Sequence, residues 1–242
     1  GIAKIPDDRI DYLTKLYEPK KVTYATIEVI DVPGLVRGAS EGKGVGNSFL
    51  DNIRKVDVLV HVLRAFENPQ VVHDEGTIDP MRDIDTVNLE LLFSDLEVVE
   101  NRIKRLRGGK KVPKEKLQEL EVLEKCKEGL EAGQLLHNID FTGEEREVLK
   151  NFSFLSEKPM ILVSNVDEDQ WSKKDYPSRE SLLRHSKDTS TPLIELSIKT
   201  EMEIDQLDPE DRQIFLEDLG IKESSLDKLA KTAYNYLGLI SF

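Results

Sequence analysis

The chain has 242 residues, 38% of them hydrophobic, enough for one substantial core and a smaller appendage. A formal net charge of -13 excludes broad, sequence-independent coating of nucleic acid but leaves room for a local basic patch. No apolar run is long enough to cross a bilayer, no basic-then-hydrophobic leader opens the chain, and the single cysteine, Cys126, cannot form an internal disulfide, so a soluble cytoplasmic protein with no membrane partner is expected.

In chain order, Ile2 to Ile5 predicts a strand, and Arg9 to Leu16 a short helix opened by Pro6-Asp7-Asp8. Thr23 to Val32 is rich in β-branched residues and ends at Pro33-Gly34, as a strand ends in a loop. Val56 to Leu63 is a second apolar run, dense enough for a strand buried on both faces. Pro159 to Ser164 is a third and Pro192 to Leu196 a fourth. Helical patterns separate these runs, which predicts an α/β fold with a parallel sheet and crossover helices.

One stretch breaks the alternation. Leu89, Leu92, Leu96, Val99, Ile103 and Leu106 follow a 3-4-3-4-3 spacing, which puts them on one seam of a long helix. Gly108-Gly109 and Pro113 interrupt it, and Leu117, Leu120, Leu123, Cys126 and Leu130 mark a second helix. The pair predicts an antiparallel helical hairpin (a coiled coil) over 84–140, inserted into an α/β domain made of 1–83 and 141–238. On its amphipathic helix, Cys126 reads as a packing residue. Arg102, Lys104, Arg105, Arg107, Lys110, Lys111, Lys114 and Lys116 cluster around the turn. Such a tip is either a solvated, self-repelling surface or a contact for phosphate backbone, RNA above all, where counterion release favours binding.

Further on, Pro209 to Leu219 predicts a helix closed by Gly220, and Ser224 or Ser225 caps another that runs to Gly238. Residues 239–242 read as the start of a strand belonging to a further domain.

Three places carry chemistry. Asp31-Val32-Pro33-Gly34 ends a strand, where a carboxylate can hold magnesium through water and a glycine N–H can meet a terminal phosphate. Alone that match is weak. Its continuation holds five glycines between Gly34 and Gly46, too many for a helix. The run is either a flexible surface loop or a switch that reorganises on phosphate release, and the apolar strand before it favours the switch. Asn165-Val166-Asp167-Glu168 follows the third strand at the edge where α/β sheets bind ligands. There an Asn amide can pair with a purine edge through both its donor and its acceptor; a capped turn would need only Asn or Asp. Ser197-Ile198-Lys199 follows the fourth strand at the same edge, where backbone N–H groups can close over a base.

Asp31 to Leu35, the run GASEGKGVGNSFL and the order of the later motifs resemble the Obg-related GTPases. Within that group, NIRKVDVLVHVLRAFE, HDEGTIDPMRDIDTVNLEL, Asn165 to Glu168 and the ending YNYLGLISF are similar to the YchF-type, Obg-like ATPases over essentially the whole chain. The resemblance implies a P-loop GTPase-like fold, a bound Mg2+, hydrolysis of ATP at least as readily as GTP, and association with the ribosome or its RNA. It also implies an N-x-x-E base motif in place of N-K-x-D. The usual aspartate accepts from two donors of guanine that adenine lacks, and Glu168, a methylene longer, does not reproduce that contact. By resemblance, Asn165 contacts adenine, Phe66 and Val166 sandwich the ring, and Ser197 and Ile198 close over it. Asp31 serves the metal and Gly34 the terminal phosphate. Leu35 stands where Ras-like enzymes place a glutamine that orients water, so His73, in the loop Asn68 to Gly76, is the expected substitute. Arg105, Arg107, Lys110 and Lys111 are the expected ribosome contact. An Obg-type GTPase, or a ribosome-binding module with secondary nucleotide chemistry, are the competing readings.

The family's phosphate loop, of G-x-P-N-x-G-K-S-T type, precedes the strand that corresponds to Gly1 to Ile5, and no G-x-x-x-x-G-K-[ST] match occurs in these residues. The family's TGS domain follows the ending. The 242 residues are therefore expected to be part of a longer protein and, by themselves, to hydrolyse ATP negligibly.

Overall fold

A computed structural model describes residues 1–32, 50, 52–73, 76–109, 113–208, 214 and 224–240. The chain divides into two units, one of Gly1–Asp31, Val60–Pro80 and Met160–Phe242, the other of Val32–Leu59 and Met81–Pro159.

In the first unit, β1 (Ile2–Lys4) pairs antiparallel with β2 (Thr26–Glu28), with Ala3 opposite Ile27. Between them runs α1 (Asp8–Tyr17), whose Asp7 cap accepts from the Arg9 N–H. The strand expected over Thr23 to Val32 is thus much shorter. A ladder extends only as far as its partner, and Ile5 N–H to Ala25 O and Val29 N–H to Gly1 O close this one at its two ends. This two-stranded pairing is antiparallel and separate from the parallel sheet. Helix α8 (Ser225–Tyr236) covers the ribbon, packing Ala230 and Tyr234 against Ile5, Ala25 and Ile27. Ser224 caps it, and Gly238, at φ +66°, follows its end. Leu239 and Ile240 are irregular and exposed, so the strand expected there does not begin in the described residues.

The second sheet has three strands in the order β3 (Leu59–Arg64), β4 (Met160–Asn165) and β5 (Leu193–Leu196). The β4–β5 pairing is parallel, Leu162 facing Leu193 and Asn165 facing Leu196. Leu59 N–H to Pro159 O and Ala65 N–H to Asn165 O keep one register between β3 and β4. Central β4 buries Ile161, Leu162, Val163 and Ser164, as a strand covered on both faces must. Strand β3, by contrast, alternates: Leu63 is 1% exposed, but Val60 and Val62 are 41% and 52% exposed. Burial on both faces was expected from its composition. As the edge of the described sheet, β3 has the period-two pattern of a strand with one covered face.

In the second unit, α2 (Pro80–Arg107) runs for 28 residues, and a single 3-10 turn at Lys114–Lys116 leads into α3 (Leu117–Glu131). Their seam holds Leu92, Val99, Ile103, Val122, Leu123, Cys126 and Leu130. Leu89, expected on that seam, is 47% exposed and stands outside it. The core extends past the expected limit at 140. Phe141, Leu149 from α4 (Gly143–Leu149) and Phe154 belong to it. Burial pushes the Cys126 thiol up to about 12, with Glu157 and Asp95 adding to the effect, which keeps it an unreactive packing group.

A buried carboxylate fastens this unit. Asp95, in the middle of α2, accepts from the Leu155 N–H at 2.9 Å and from the Ser156 N–H and Oγ, each at 2.7 Å. Arg54 supports the same corner through Ser153 O and Ser94 Oγ. Burial pushes the Asp95 carboxyl up, against the pull of the three bonds and of Arg54.

Candidate functional site

Parallel β3, β4 and β5 end on one edge, and the backbone keeps their continuations side by side. Ala65 N–H donates to Asn165 O at 2.9 Å and Val166 N–H to Leu196 O at 3.0 Å. Phe66, the Asn165–Glu168 turn and Ser197–Ile198 are thereby gathered at the position where open α/β sheets hold ligands.

One side-chain bond joins two of these loops. The Asn165 Oδ1 accepts from the Ile198 N–H at 3.1 Å. Of the donor and acceptor that Asn165 was expected to offer a base, the carbonyl already accepts one bond, from Ile198. Val166 is 2% exposed. Asp167 and Gln170 form a reciprocal capping box at the start of α5 (Glu168–Lys173), with Gln170 N–H to Asp167 Oδ1 at 2.8 Å and Asp167 N–H to Gln170 Oε1 at 3.0 Å. Asp167 is therefore a structural cap, and Glu168 is the exposed first residue of the helix.

Ser197 is fully buried and caps α7 (Ile198–Asp205), its Oγ accepting from the Thr200 N–H and Oγ1. The N–H of the next residue, Ile198, is already engaged by Asn165, and Ser197 itself is 0% exposed. Just before it, Glu195 accepts from Tyr176 Oη at 2.9 Å and from Arg179 Nε and Nη2 at 2.6 and 3.1 Å. Arg179 opens α6 (Arg179–Thr189), so this group fastens α6 to β5. Burial raises the Glu195 carboxyl, but bonds from Arg179 and Tyr176 outweigh it and hold the group below its ordinary value.

On the β3 side, Arg64 bends back over the loop it opens. Its Nε donates to Phe66 O at 3.1 Å, Nη2 to Asn68 O at 3.2 Å, and Nη1 to Val71 O at 2.9 Å. The guanidinium carbon lies 5.0 Å from the centroid of the half-buried Phe66 ring. His73 follows directly and is half-buried, its carbonyl accepting from the Gly76 N–H at 2.9 Å. Gly76 sits at φ +74°, a turn that favours glycine.

Asp31 is exposed, three residues past β2. Among the described residues no cluster of three or more His, Cys, Asp or Glu side chains is placed to hold a metal. A single carboxylate nonetheless suits Mg2+, which takes most of its ligands from phosphates and water.

At the hairpin turn, Arg102 and Lys116 pair with Glu119, and Arg107 pairs with Glu124 across the two helices. The expected cluster of free cations is thus reduced, since the acidic face of α3 neutralises part of it. Lys104, Arg105 and Lys114 are exposed and unpaired among the described residues. Gly34, Leu35, the glycine-rich run to Gly46, Lys110 and Lys111 lie outside the described residues.

Arg64, Glu195, Tyr176 and Arg179 carry no sequence signal of their own. A charged residue at a strand end reads as punctuation, and their partners are distant or are backbone carbonyls.

A family model described as "50S ribosome-binding GTPase" matches residues 8–93. The Ribosome-binding ATPase YchF of Bacillus subtilis is 40% identical over all of this chain and 67% of its own length. Those of Haemophilus influenzae and Escherichia coli O157:H7 are 37% and 35% identical, this chain covering 66% of each. A solved structure, the Schizosaccharomyces pombe YchF GTPase, superposes with a TM-score of 0.83 at 30% identity, over 98% of this chain and 65% of that one. The chain thus spans about two thirds of the length of the relatives it matches.

Proposed function

This chain belongs to the YchF-type family of Obg-like P-loop GTPases, and on that premise we propose that it is the nucleotide-binding part of an ATP-hydrolysing, ribosome-binding switch protein of the cytoplasm. The observation that carries the reading is the tie between Asn165 and Ile198 above an exposed Glu168. It turns the Asn165 NH2 towards a ligand at the sheet edge, where it can donate to purine N7. Both adenine and guanine carry that acceptor, so discrimination falls to Glu168. A shorter carboxylate there would accept from the two guanine donors; Glu168 does not require them, and adenine is accommodated.

Phe66, half-buried just past the end of β3, supplies the aromatic face. Asp31 would hold Mg2+ through water, and the ion would draw phosphate charge away from the reacting oxygen. His73, as neutral imidazole, orients the attacking water or accepts its proton, the duty that Leu35 cannot perform. Arg105 and Arg107, with Lys104 and Lys114 and with Lys110 and Lys111 of the same stretch of sequence, supply the ribosome contact.

Single-turnover hydrolysis by the full-length protein tests the chemistry. His73→Ala lowers the rate on the order of a hundredfold while ATP affinity stays unchanged. An unaltered rate removes His73 from the mechanism. The Obg-type GTPase reading has Glu168 against it, and the ribosome-module reading predicts no dependence of hydrolysis on His73.

A further inference from the structure

The guanidinium of Arg64 reaches one loop at four carbonyls: Phe66, Asn68 and Val71 at 3.1, 3.2 and 2.9 Å, and Val72 at 3.5 Å. Among the described residues it has no carboxylate partner, so its charge is directed at backbone oxygen alone. A loop between strand and helix carries carbonyls that no ladder satisfies, and a planar fork of five donors is suited to collect several of them at once. Two further bonds close the loop on itself, Val71 N–H to Asn68 O at 3.1 Å and Gln70 N–H to Asn68 Oδ1 at 2.9 Å. The two functional side chains stand at its ends, Phe66 under the guanidinium at 5.0 Å and His73 immediately after the last bonded carbonyl.

We propose that Arg64 is a positioning residue that sets Phe66 and His73 in one fixed relation, coupling the seating of the base to the placement of the water-orienting imidazole. The bonds Arg64 makes run to the loop backbone. Arg64 acts by removing the conformational freedom of the segment between Phe66 and His73, whose misplacement by an ångström can cost up to about a hundredfold in rate. The inference rests on the role given to His73 above.

The test uses the full-length protein with Arg64→Ala, Arg64→Lys, His73→Ala and the Arg64→Ala/His73→Ala double variant. Hydrogen exchange reads the loop itself. Arg64→Ala speeds exchange at the amides of Gln70 and Val71 and leaves those of β4 unchanged. Kinetics read the coupling. Arg64→Ala lowers kcat on the order of tenfold to a hundredfold and raises KM, whereas His73→Ala lowers kcat with KM unchanged. In the double variant, kcat stays within about twofold of His73→Ala alone, because two residues acting through one step are not additive. Arg64→Lys, with three donors and no planar fork, recovers only part of the loss. Should Arg64→Ala fold poorly, Arg64→Lys carries the same comparison.

Unchanged exchange in the loop overturns the proposal, and so does a loss of kcat that adds in full to that of His73→Ala. If His73→Ala leaves kcat intact while Arg64→Ala still loosens the loop, the reading of His73 has failed. Arg64 then keeps its hold on the loop and loses its part in turnover.

Discussion

Asn165 and Ile198 are joined across 33 residues of sequence, the side-chain carbonyl of one accepting the backbone N–H of the other at 3.1 Å. That bond fixes the loop after β4 to the loop after β5, and in the proposed reading the Asn165 NH2 is the group that meets a ligand. Asn165→Ala therefore removes a base contact and orphans the Ile198 N–H together. Because purine N7 is common to both bases, ATP and GTP affinity should fall alike, each roughly tenfold. Calorimetric titration of the full-length protein with both nucleotides checks it; a loss confined to one nucleotide would show that Asn165 discriminates between them.

Asp95 holds the bend at Leu155–Ser156 with three accepted hydrogen bonds. Asp95→Asn replaces one acceptor oxygen with a donor and should cost roughly 1–3 kcal/mol in urea unfolding. Its pH dependence has a definite sign. A carboxyl pushed up by burial binds its proton more tightly folded than unfolded, so its contribution to stability declines as pH rises from the ordinary carboxylate range through the raised value. The stability advantage of wild type over Asp95→Asn should narrow across that window and level off above it.

Glu195 should behave in the opposite way. Held down by Arg179 and Tyr176, it contributes stability that is fully present above its ordinary value of 4.5 and lost as pH falls through the depressed one. Glu195→Gln should destabilise by about 1–2 kcal/mol at neutral pH, the partial exposure of the pair limiting the effect. Its difference from wild type should shrink on acidification below pH 4.5.

At the hairpin turn, replacing Arg105, Arg107, Lys110 and Lys111 with Ala should weaken ribosome binding and flatten its salt dependence, without altering nucleotide affinity. Arg107 already pairs with Glu124, so Arg105→Ala alone should account for more of the loss than Arg107→Ala alone. Ribosome affinity that survives all four substitutions would make the tip a solubilising surface only.

The parts legible in the sequence are those with a local period or a local cap. The strands β3, β4 and β5, the long helix α2 and the Ser224 cap follow from apolar runs, a repeated spacing and a hydroxyl before a helix. The parts that were not legible depend on partners far along the chain. Asp95 sits between Leu92 and Leu96 and reads as a solvated helix position; its donors lie 60 and 61 residues on. Strand β2 reads as ten residues of β-former but pairs over three, because β1 supplies no more partner. At the site, the order of motifs after the strands was legible because each falls at a strand end. The engagement of the Asn165 carbonyl by Ile198, and of four loop carbonyls by Arg64, was not, since backbone acceptors carry no residue identity.

In the proposed function Glu168, at the start of α5, moves base preference from guanine towards adenine. The most direct test is equilibrium affinity of the full-length protein for ATP and GTP, measured with and without Glu168→Asp. ATP should be bound at least as tightly as GTP by the natural protein, with a shift in favour of GTP when the shorter carboxylate can reach the two guanine donors. Clear preference of the natural protein for GTP, unmoved by the substitution, would contradict it.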